Sequence, residues 1–125
     1  MNKTALIIGA SGQDGSFLTS FLSKKKYNVI CASRDADSNN FLNHKMLKIK
    51  GSIVYVTLNI NEMSTILKVL DKYKPDEIYN LAAQSSVGLS FEKPIETVQS
   101  IICGTLNILE AIKFHGLEKK TKFYQ

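Results

Sequence analysis

The sequence IGASGQDG, residues Ile8–Gly15, joins an apolar run to an amphipathic one and contains three glycines. The apolar run Thr4–Ile8 is bounded by glycine, which is typical of a strand buried on both faces. The following segment, Gln13–Lys25, has its apolar residues at spacings that place them on one helical face. These residues are Phe17, Leu18, Phe21 and Leu22. The sequence therefore predicts a strand, a glycine-rich turn and a helix.

The rest of the chain repeats the alternation of strand and helix. Apolar, β-branched runs predict strands at Asn28–Ser33, Ile53–Leu58 and Glu77–Ala82, and a further strand begins at Lys122–Gln125. Helical periodicity predicts a helix from a cap at Asn61 to Tyr73 and another at Pro94–Phe114. The apolar stripe of the long helix is predicted to be Val98, Ile101, Ile102, Leu106, Leu109 and Ile112. Residues Phe41–Gly51 fit no regular pattern. Strands alternating with helices indicate right-handed crossovers and a doubly wound parallel α/β sheet with helices on both faces.

Composition indicates one small soluble domain. The chain has 125 residues, of which 44% are hydrophobic and 22% charged. Its apolar runs are much shorter than the roughly 20 residues that span a bilayer, so no membrane helix is predicted. The N-terminus lacks a cleavage-type region, so we expect no signal peptide and a cytoplasmic location.

Cysteine, histidine and charge exclude several other classes of protein. Cys31 and Cys103 lie in apolar segments and are interpreted as small buried residues rather than as a disulfide framework. His44 and His115 are far apart, so no metal site is predicted. The net charge of +5 comes from scattered lysines without interleaved aromatic residues, so nucleic-acid binding is not expected either.

The three glycines of the turn have two possible explanations. A glycine-rich turn between the first strand and the first helix lets phosphate oxygens approach main-chain N–H groups at a helix N-terminus. Alternatively, Gly9, Gly12 and Gly15 serve only a tight turn and close helix packing. The strand-turn-helix context favours dinucleotide binding, although the G-x-x-G-x-x-G spacing is not the commoner G-x-G-x-x-G. No Gly-Lys-Ser/Thr follows, which excludes a mononucleotide P-loop.

The end of the second predicted strand bears on which dinucleotide is bound. Proteins that use NAD usually place an acid there, roughly 20 residues after the glycines, to hold the ribose 2′-OH. This chain has Ser33-Arg34 at that point, followed by Asp35. Arg34 is able to pair with a 2′-phosphate, which favours NADP over NAD, while the adjacent acid opposes it. The alternative is that Arg34 is an ordinary surface residue.

Several longer stretches resemble the N-terminal part of the GDP-mannose 4,6-dehydratases, which are extended short-chain dehydrogenase/reductases. The resemblance rests on IGASGQDGS, on KPDEIYNLAAQSSVGLSFEKP at Lys74–Pro94, on GTLNILEAI at Gly104–Ile112 and on HGLEKKTKFYQ at His115–Gln125. The glycine turn is common to the superfamily, whereas Gln13-Asp14-Gly15, the PDEIYNLAAQS block and LEKKTKFYQ are more specific. The resemblance covers nearly the whole chain and is weakest across Asp35–Val56.

The resemblance implies a partial Rossmann-type sheet and a set of cofactor contacts. The implied contacts are Gly9, Ser11, Gly12, Gln13, Asp14, Gly15, Arg34, Asn59, Ile60, Leu81, Ala82, Ala83, Gln84 and Ser85. It also implies a reaction in which NADP takes a hydride from C4 of the mannose of GDP-mannose, water leaves across C5 and C6, and the hydride returns to C6. The enzyme is then a lyase that acts on a nucleotide sugar in GDP-fucose biosynthesis, and the full-length protein is expected to be a homo-oligomer.

The chain departs from the family pattern at several positions that face the cofactor. Asn59 stands where an aspartate is usual, and Asp35 stands where a second arginine is expected. Glu96 replaces a tyrosine, Ile101 a polar residue and Ser86 a histidine. We therefore expect weaker cofactor binding than in the family at large.

The family's catalytic groups, a Ser/Thr-x-Glu group and a Tyr-x-x-x-Lys pair, follow the strand that begins at KFYQ. The chain ends at Gln125, before these groups, so no catalytic residue is assigned to it. The resemblance identifies residues 1–125 as the N-terminal part of an NAD(P)-binding domain, expected to be inactive without the catalytic and substrate-binding part. Two alternatives remain open: a non-catalytic NAD(P)-binding or interaction module, and a related sugar-nucleotide epimerase or reductase.

Overall fold

Five parallel strands form one sheet in the order β3-β2-β1-β4-β5. The structure is a computed structural model, and it describes residues 2–37, 41–82 and 94–125. The strands are β1 Thr4–Ile8, β2 Asn28–Ser33, β3 Ile53–Thr57, β4 Glu77–Asn80 and β5 Lys122–Tyr124. The helices are α1 Gln13–Lys24, α2 Leu42–Met46, α3 Met63–Tyr73 and α4 Pro94–Phe114. The predicted α/β class is confirmed.

The strand order reverses at β1, the central strand of the sheet. Ile7 of β1 is in register with Cys31 of β2 on one side and with Tyr79 of β4 on the other. The chain runs outward from β1 to β3 and then returns to β4 on the opposite side. In open parallel sheets, ligands bind beyond the carboxyl ends of the strands at such a reversal. The fold therefore places a crevice beside the end of β1, where the glycine-rich turn begins.

Side chains alternate across the sheet and form two hydrophobic cores. One core includes Ala5, Ile7, Val29, Cys31, Leu22 of α1 and Phe41 just before α2. The other includes Leu6, Ile8, Ile30, Ala32, Ile78 and the inner sides of α3 and α4. Both faces of β1 are thus covered, as its continuous apolar run predicts.

The predicted inner face of α4 is largely wrong. The residues that the helix buries are Gly104, Ile108, Ala111 and Ile112. Four members of the predicted stripe, Val98, Ile102, Leu106 and Leu109, are instead 43–54% exposed. The helix is apolar on more than one side, so its periodicity does not select the inner face. The inner face is determined instead by Gly104, because the absence of a side chain there allows α4 to pack directly against Ile60.

Helix α1 shows a milder form of the same error. Its buried residues are Gly15, Ser16, Thr19 and Leu22, whereas Phe17 and Phe21 are both more than half exposed. Thr19 satisfies its buried hydroxyl by donating to the carbonyl of Gly15 over 2.7 Å. The face of α1 that packs on the sheet is therefore made of small and partly polar residues. These residues allow the start of α1 to lie close to the glycine-rich turn.

Element ends also differ from the predictions in detail. Helix α3 begins at Met63 with Glu62 at the N-cap, so the predicted cap at Asn61 is wrong. The Asn61 N–H instead donates to the side chain of Asn59, which closes a local turn over 3.0 Å. Strands β3 and β4 end one and two residues earlier than predicted. The unassigned segment contains the short helix α2.

One described helix, α4, is long and apolar enough to cross a membrane when judged by length and composition alone. A single helix that passes this test is weak evidence, and 22% of the apolar window of α4 is buried in the protein. This property therefore does not by itself indicate a membrane span. Within the described ranges, no group of three metal-ligating side chains comes together.

The two cysteines occupy different environments. Cys31 is fully buried in β2, as predicted, and burial raises its pKa to about 11. Cys103 lies on the outer side of α4 and is exposed, so the prediction that it is buried is wrong. The error has the same origin as the misassigned stripe of α4.

Candidate dinucleotide-binding site

Two of the three turn glycines are required by the fold itself. Gly9 has a φ of +83°, and a Cβ there would lie 2.9 Å from the backbone nitrogen of Ala82. A Cβ at Gly15 would lie 2.5 Å from the carbonyl oxygen of Gly9 and 2.7 Å from the Cα of Ala10. Real Cβ atoms do not approach backbone that closely. At these two positions, the structural explanation of the glycines is sufficient.

Gly12 is different, because the protein leaves room for a side chain there. Its φ of −70° is ordinary for any residue, and a Cβ would meet nothing nearer than the Gly9 oxygen at 3.7 Å. Gly12 is exposed and occupies the N-cap of α1. The protein's own packing therefore does not explain a glycine at this position, whereas a ligand lying against the backbone does.

The N-terminus of α1 presents unpaired N–H groups beside Gly12. The first turn of any helix leaves its N–H groups without intrahelical partners, and together they carry a partial positive charge. In the described part of the chain, the N–H groups of Ser11, Gln13 and Asp14 have no acceptor. All three residues lie at the surface or close to it. This arrangement suits a phosphate group.

The end of β2 supplies an unpaired buried hydroxyl. Ser33 is 7% exposed, and its Oγ has no hydrogen-bond partner among the described residues. Its carbonyl is engaged, because it accepts the Leu58 N–H over 2.9 Å. Buried polar atoms are almost always paired, so an unpaired one at the crevice marks a place for a polar ligand. Sequence reasoning used Ser33 only to locate the strand end and missed this hydroxyl.

Arg34 follows Ser33 directly and is exposed at the carboxyl end of β2. No described acidic side chain pairs with its guanidinium. A guanidinium at the same strand end as an unpaired hydroxyl supplies donor groups that a phosphate or a ribose hydroxyl accepts.

The side chain of Asn59 is partly committed to the protein. Its Oδ1 accepts the Asn61 N–H over 3.0 Å, and its backbone N–H donates to Thr65 over 3.0 Å. One lone pair of Oδ1 is thus used within the protein, while the amide nitrogen is a donor that an aspartate lacks. Asn59 therefore differs in hydrogen-bonding capacity and in charge from the aspartate that the resemblance leads one to expect at this position.

Ile60, the other residue expected near the adenine, is mostly buried. It is 9% exposed, and its side chain packs against the Gly104 backbone. Its carbonyl accepts from Asn107 of α4 over 2.9 Å. Ile60 thus anchors α4, and only a small part of its surface remains for a ligand.

The end of β4 lies against the glycine-rich turn. The Leu81 N–H donates to the carbonyl of Ile8 over 2.9 Å, and the side chain of Asn80 accepts the Ala82 N–H over 3.3 Å. Leu81 and Ala82 therefore border the same crevice as Gly9. The predicted contacts Ala83, Gln84 and Ser85 lie outside the described residues, as does Ser86.

Helix α2 buttresses the turn from the side away from α4. Asn43 Nδ2 donates to the carbonyl of Ser11 over 3.2 Å, and His44 Nε2 lies 2.8 Å from the carbonyl oxygen of Ala10. His44 is 4% exposed, and burial lowers its pKa below the usual 6.5. Sequence reasoning missed both residues, because the segment that contains them has no clear periodicity.

The buried acid at the other end of the sheet has a structural role. Glu77 begins β4 and accepts from the hydroxyls of Tyr27 over 2.8 Å and Tyr79 over 2.5 Å. Burial, aided by this carboxylate, raises the pKa of Tyr79. This cluster lies at the amino ends of the strands, away from the crevice.

Solved structures with the same fold define the class of protein. UDP-glucose 4-epimerase from Stenotrophomonas maltophila, solved with bound NAD, matches 92% of this chain with a TM-score of 0.78 at 22% identity. L-threonine dehydrogenase from Clostridium difficile matches 98% with a TM-score of 0.73 at 30% identity. The chain covers 34% and 35% of these two proteins. The fold is therefore a Rossmann-type domain of the short-chain dehydrogenase/reductase kind.

Sequence comparison then identifies the family. The model of the GDP-mannose 4,6-dehydratase family matches residues 6–125, and the chain belongs to this family. GDP-mannose 4,6-dehydratase of Vibrio cholerae is 43% identical over the whole chain, and that of Drosophila melanogaster is 41% identical over 99% of it. The chain spans 35% and 33% of the lengths of these relatives.

Proposed function

We propose that this chain forms the dinucleotide-binding part of a GDP-mannose 4,6-dehydratase. The observation that carries the proposal is Gly12, where the protein's own packing leaves room for a Cβ atom. A bound pyrophosphate explains this glycine, because its oxygens would take the space that a side chain would occupy. The unpaired N–H groups around Gly12 provide the matching donors.

The residues at the end of β2 support NADP as the dinucleotide. Arg34 and the free Ser33 hydroxyl together offer the donors that a 2′-phosphate requires. An acid able to hold the ribose 2′-OH of NAD is absent from position 33. Asp35 lies one residue beyond and would repel a 2′-phosphate, so we expect a modest preference for NADP over NAD.

The chain's residues have binding and orienting roles in this proposal. NADP, when bound, supplies a hydride acceptor that returns the hydride later in the same turnover. The N-terminus of α1, with Gly12, would hold the pyrophosphate. Arg34 and Ser33 would bind the 2′-phosphate on the adenosine ribose, and Asn59 would contact the edge of the adenine. The substrate, GDP-mannose, and its conversion to GDP-4-dehydro-6-deoxymannose belong to the whole protein.

Turnover and coding sequence together test this function. The 125-residue chain is mixed with NADP⁺ and GDP-mannose, and the product is sought by mass spectrometry after borohydride reduction. We expect no product from the chain alone. We also expect a coding sequence that continues past Gln125 with Ser/Thr-x-Glu and then Tyr-x-x-x-Lys. An immediate stop codon would refute the assignment of a dehydratase reaction to this protein.

A second candidate is a non-catalytic module that binds NADP or a protein partner. The exchange of the family's acid for Asn59 and the presence of Asp35 favour it, because both alter positions that face the cofactor. NADPH fluorescence distinguishes the possibilities when it is combined with the coding sequence. A stop codon together with saturable NADPH binding supports a nucleotide-binding module, whereas a stop codon without binding at millimolar cofactor points to a protein-interaction role.

Location and assembly are further parts of the proposal. We infer a cytoplasmic protein that forms a homo-oligomer when full length and acts on a nucleotide sugar in GDP-fucose biosynthesis. The resemblance to the family supports each of these points. Size-exclusion chromatography with light scattering on the full-length product tests the oligomer, and a monomer would refute it.

A further inference from the structure

Two neighbouring side chains on α2 hold the glycine-rich turn by its carbonyl groups. Asn43 donates to the Ser11 carbonyl over 3.2 Å, and His44 contacts the Ala10 carbonyl over 2.8 Å. These bonds join residues that lie 32 and 34 positions apart in the chain. The turn is therefore supported from outside its own strand and helix.

Because the peptide group is planar, holding a carbonyl in place also fixes the direction of the N–H group of the next residue. In a trans peptide the C=O of one residue and the N–H of the next point in opposite directions. Anchoring the Ala10 carbonyl toward α2 therefore turns the Ser11 N–H away from α2. Anchoring the Ser11 carbonyl does the same for the Gly12 N–H, which also donates to the Gly9 carbonyl oxygen over 3.4 Å.

His44 is itself held in one orientation. The Tyr55 hydroxyl lies 3.2 Å from its Nδ1, and the Phe41 ring meets it edge-on with centroids 5.1 Å apart. The Ala10 oxygen is only an acceptor, so Nε2 carries the proton and Nδ1 accepts from Tyr55. The contact with Ala10 is buried and therefore shielded from water, whereas Tyr55 is 45% exposed.

Burial lowers the pKa of His44 and so favours its neutral form. Lys45 and Lys48, from α2 and the segment after it, line the same cavity of about 410 Å³ as His44 and Tyr55. Cys31 of β2 lies behind Tyr55, and burial keeps its thiol protonated. No carboxylate among the described residues lines this cavity, and the Ala10 carbonyl, which favours the imidazolium, is outweighed by burial.

We propose that Asn43 and His44 are positioning residues that hold the Ala10 and Ser11 peptide groups of the turn, so that the unpaired Ser11 N–H faces the pyrophosphate of a bound dinucleotide. The inference rests on the proposed dinucleotide function and extends it to a short helix outside the usual strand-turn-helix unit. Neither side chain touches the ligand, because each acts through a carbonyl of the turn. Their loss would allow the two peptide groups to rotate and would weaken binding without removing any direct contact.

The test compares variants that differ in one hydrogen bond. His44→Phe keeps an aromatic ring but removes the donor, whereas His44→Gln places an amide N–H near the position of Nε2. His115→Phe is the matched control, since His115 Nε2 contacts the Leu67 carbonyl over 3.0 Å between α4 and α3, away from the turn. Asn43→Ala provides a second probe at a half-buried position if His44→Phe does not fold.

NADP⁺ affinity is measured by calorimetry at a temperature at which every variant used is folded. We expect Kd to rise about tenfold for His44→Phe and for Asn43→Ala, since each removes a hydrogen bond that holds a turn carbonyl. In His44→Phe the Ala10 carbonyl keeps only the long 3.4 Å bond from the Ser16 hydroxyl. The Kd of His44→Gln is expected to stay within about threefold of the parent value, because the glutamine amide can replace the lost donor. If His44→Phe weakened binding only through lost packing, His44→Gln would weaken it as well. His115→Phe is expected to bind as the parent does.

Amide exchange of Ser11 and Gly12, followed by NMR without cofactor, separates failure of this inference from failure of the proposed function. Faster exchange in His44→Phe, but not in His115→Phe, supports the positioning role even if the parent binds no NADP⁺. No NADP⁺ binding by the parent would refute the proposed function instead. Unchanged affinity and unchanged exchange in a folded His44→Phe or Asn43→Ala variant would overturn the inference.

Discussion

Replacing Gly12 with alanine separates what the fold requires of the turn from what a ligand requires. The new Cβ would meet only the Gly9 oxygen at 3.7 Å, which is an ordinary contact. Alanine is a poorer N-cap than glycine by some tenths of a kcal/mol, but it also reduces the entropy of the unfolded chain by about 0.4–1 kcal/mol. These effects offset each other, so we expect the free energy of unfolding to change by less than about 0.5 kcal/mol.

The Gly12→Ala substitution should nevertheless weaken cofactor binding. A methyl group at Gly12 would occupy the space assigned to a pyrophosphate oxygen, and steric overlap of this kind costs about 1–3 kcal/mol. That cost corresponds to a roughly tenfold to hundredfold rise in Kd. Urea unfolding gives the stability of the variant, and NADPH fluorescence titration gives its affinity.

Gly15→Ala is the matched comparison. Its Cβ would lie 2.5 Å from the Gly9 oxygen and 2.7 Å from the Ala10 Cα, so the backbone of the turn would have to move. The overlap costs about 3 kcal/mol, of which better helix propensity recovers about 1 kcal/mol. We therefore expect a loss of about 2 kcal/mol in stability. Two results would contradict the assignment of Gly12 to ligand binding. One is a Gly12→Ala variant that binds NADPH as tightly as the parent, and the other is a Gly12→Ala variant as unstable as Gly15→Ala.

Three further predictions concern stability and reactivity. Burial lowers the pKa of His44, so the stability linked to its neutral form is present above pH 6.5 and is lost as pH falls below that value. Urea unfolding between pH 7.5 and 5 should show this slope, and a His44→Gln variant with an equal slope would contradict it. Iodoacetamide should modify Cys103 in the native protein but leave buried Cys31 untouched, as mass spectrometry would show; rapid native modification of Cys31 would contradict its burial. Gly104→Ala should cost about 1–2 kcal/mol, because its Cβ would meet the Ile60 side chain. Adding Ile60→Val, which lacks the Cδ1 atom, should recover part of that cost in a double-mutant cycle, and strictly additive losses would count against this contact.

The sequence predicted most of the sheet because its signals there are local. The strand at Thr4–Ile8 and the turn at Gly9 follow from an apolar run that ends in glycine, and the structure confirms both. The alternation of strand and helix then specified the doubly wound class.

The wrong predictions concern which side of a helix is buried, because this depends on contacts between residues that are distant in sequence. Helix α4 has apolar residues on several sides, and only its contact at Gly104 determines which side is buried. That contact depends on Ile60, far away in sequence. The exposed position of Cys103 follows from the same contact and was missed for the same reason.

Part of the candidate site was also beyond prediction. Sequence spacing indicated the glycines, but it could not show that Gly9 and Gly15 serve the fold while Gly12 is left free for a ligand. The roles of Asn43 and His44 depend on bonds to carbonyl groups more than 30 residues away, which no local pattern reveals. The unpaired hydroxyl of Ser33 became visible only when its surroundings were known.

The most direct test of the central claim is to map NADP⁺ binding on the ¹⁵N-labelled chain by NMR. We predict saturable shifts of the Ser11, Gly12, Gln13 and Asp14 amides, together with Arg34, and smaller shifts with NAD⁺. Cys103, on the outer side of α4, should not respond. No saturable shift at millimolar NADP⁺, or shifts confined to residues away from the glycine-rich turn, would contradict the assignment of this chain as a dinucleotide-binding domain.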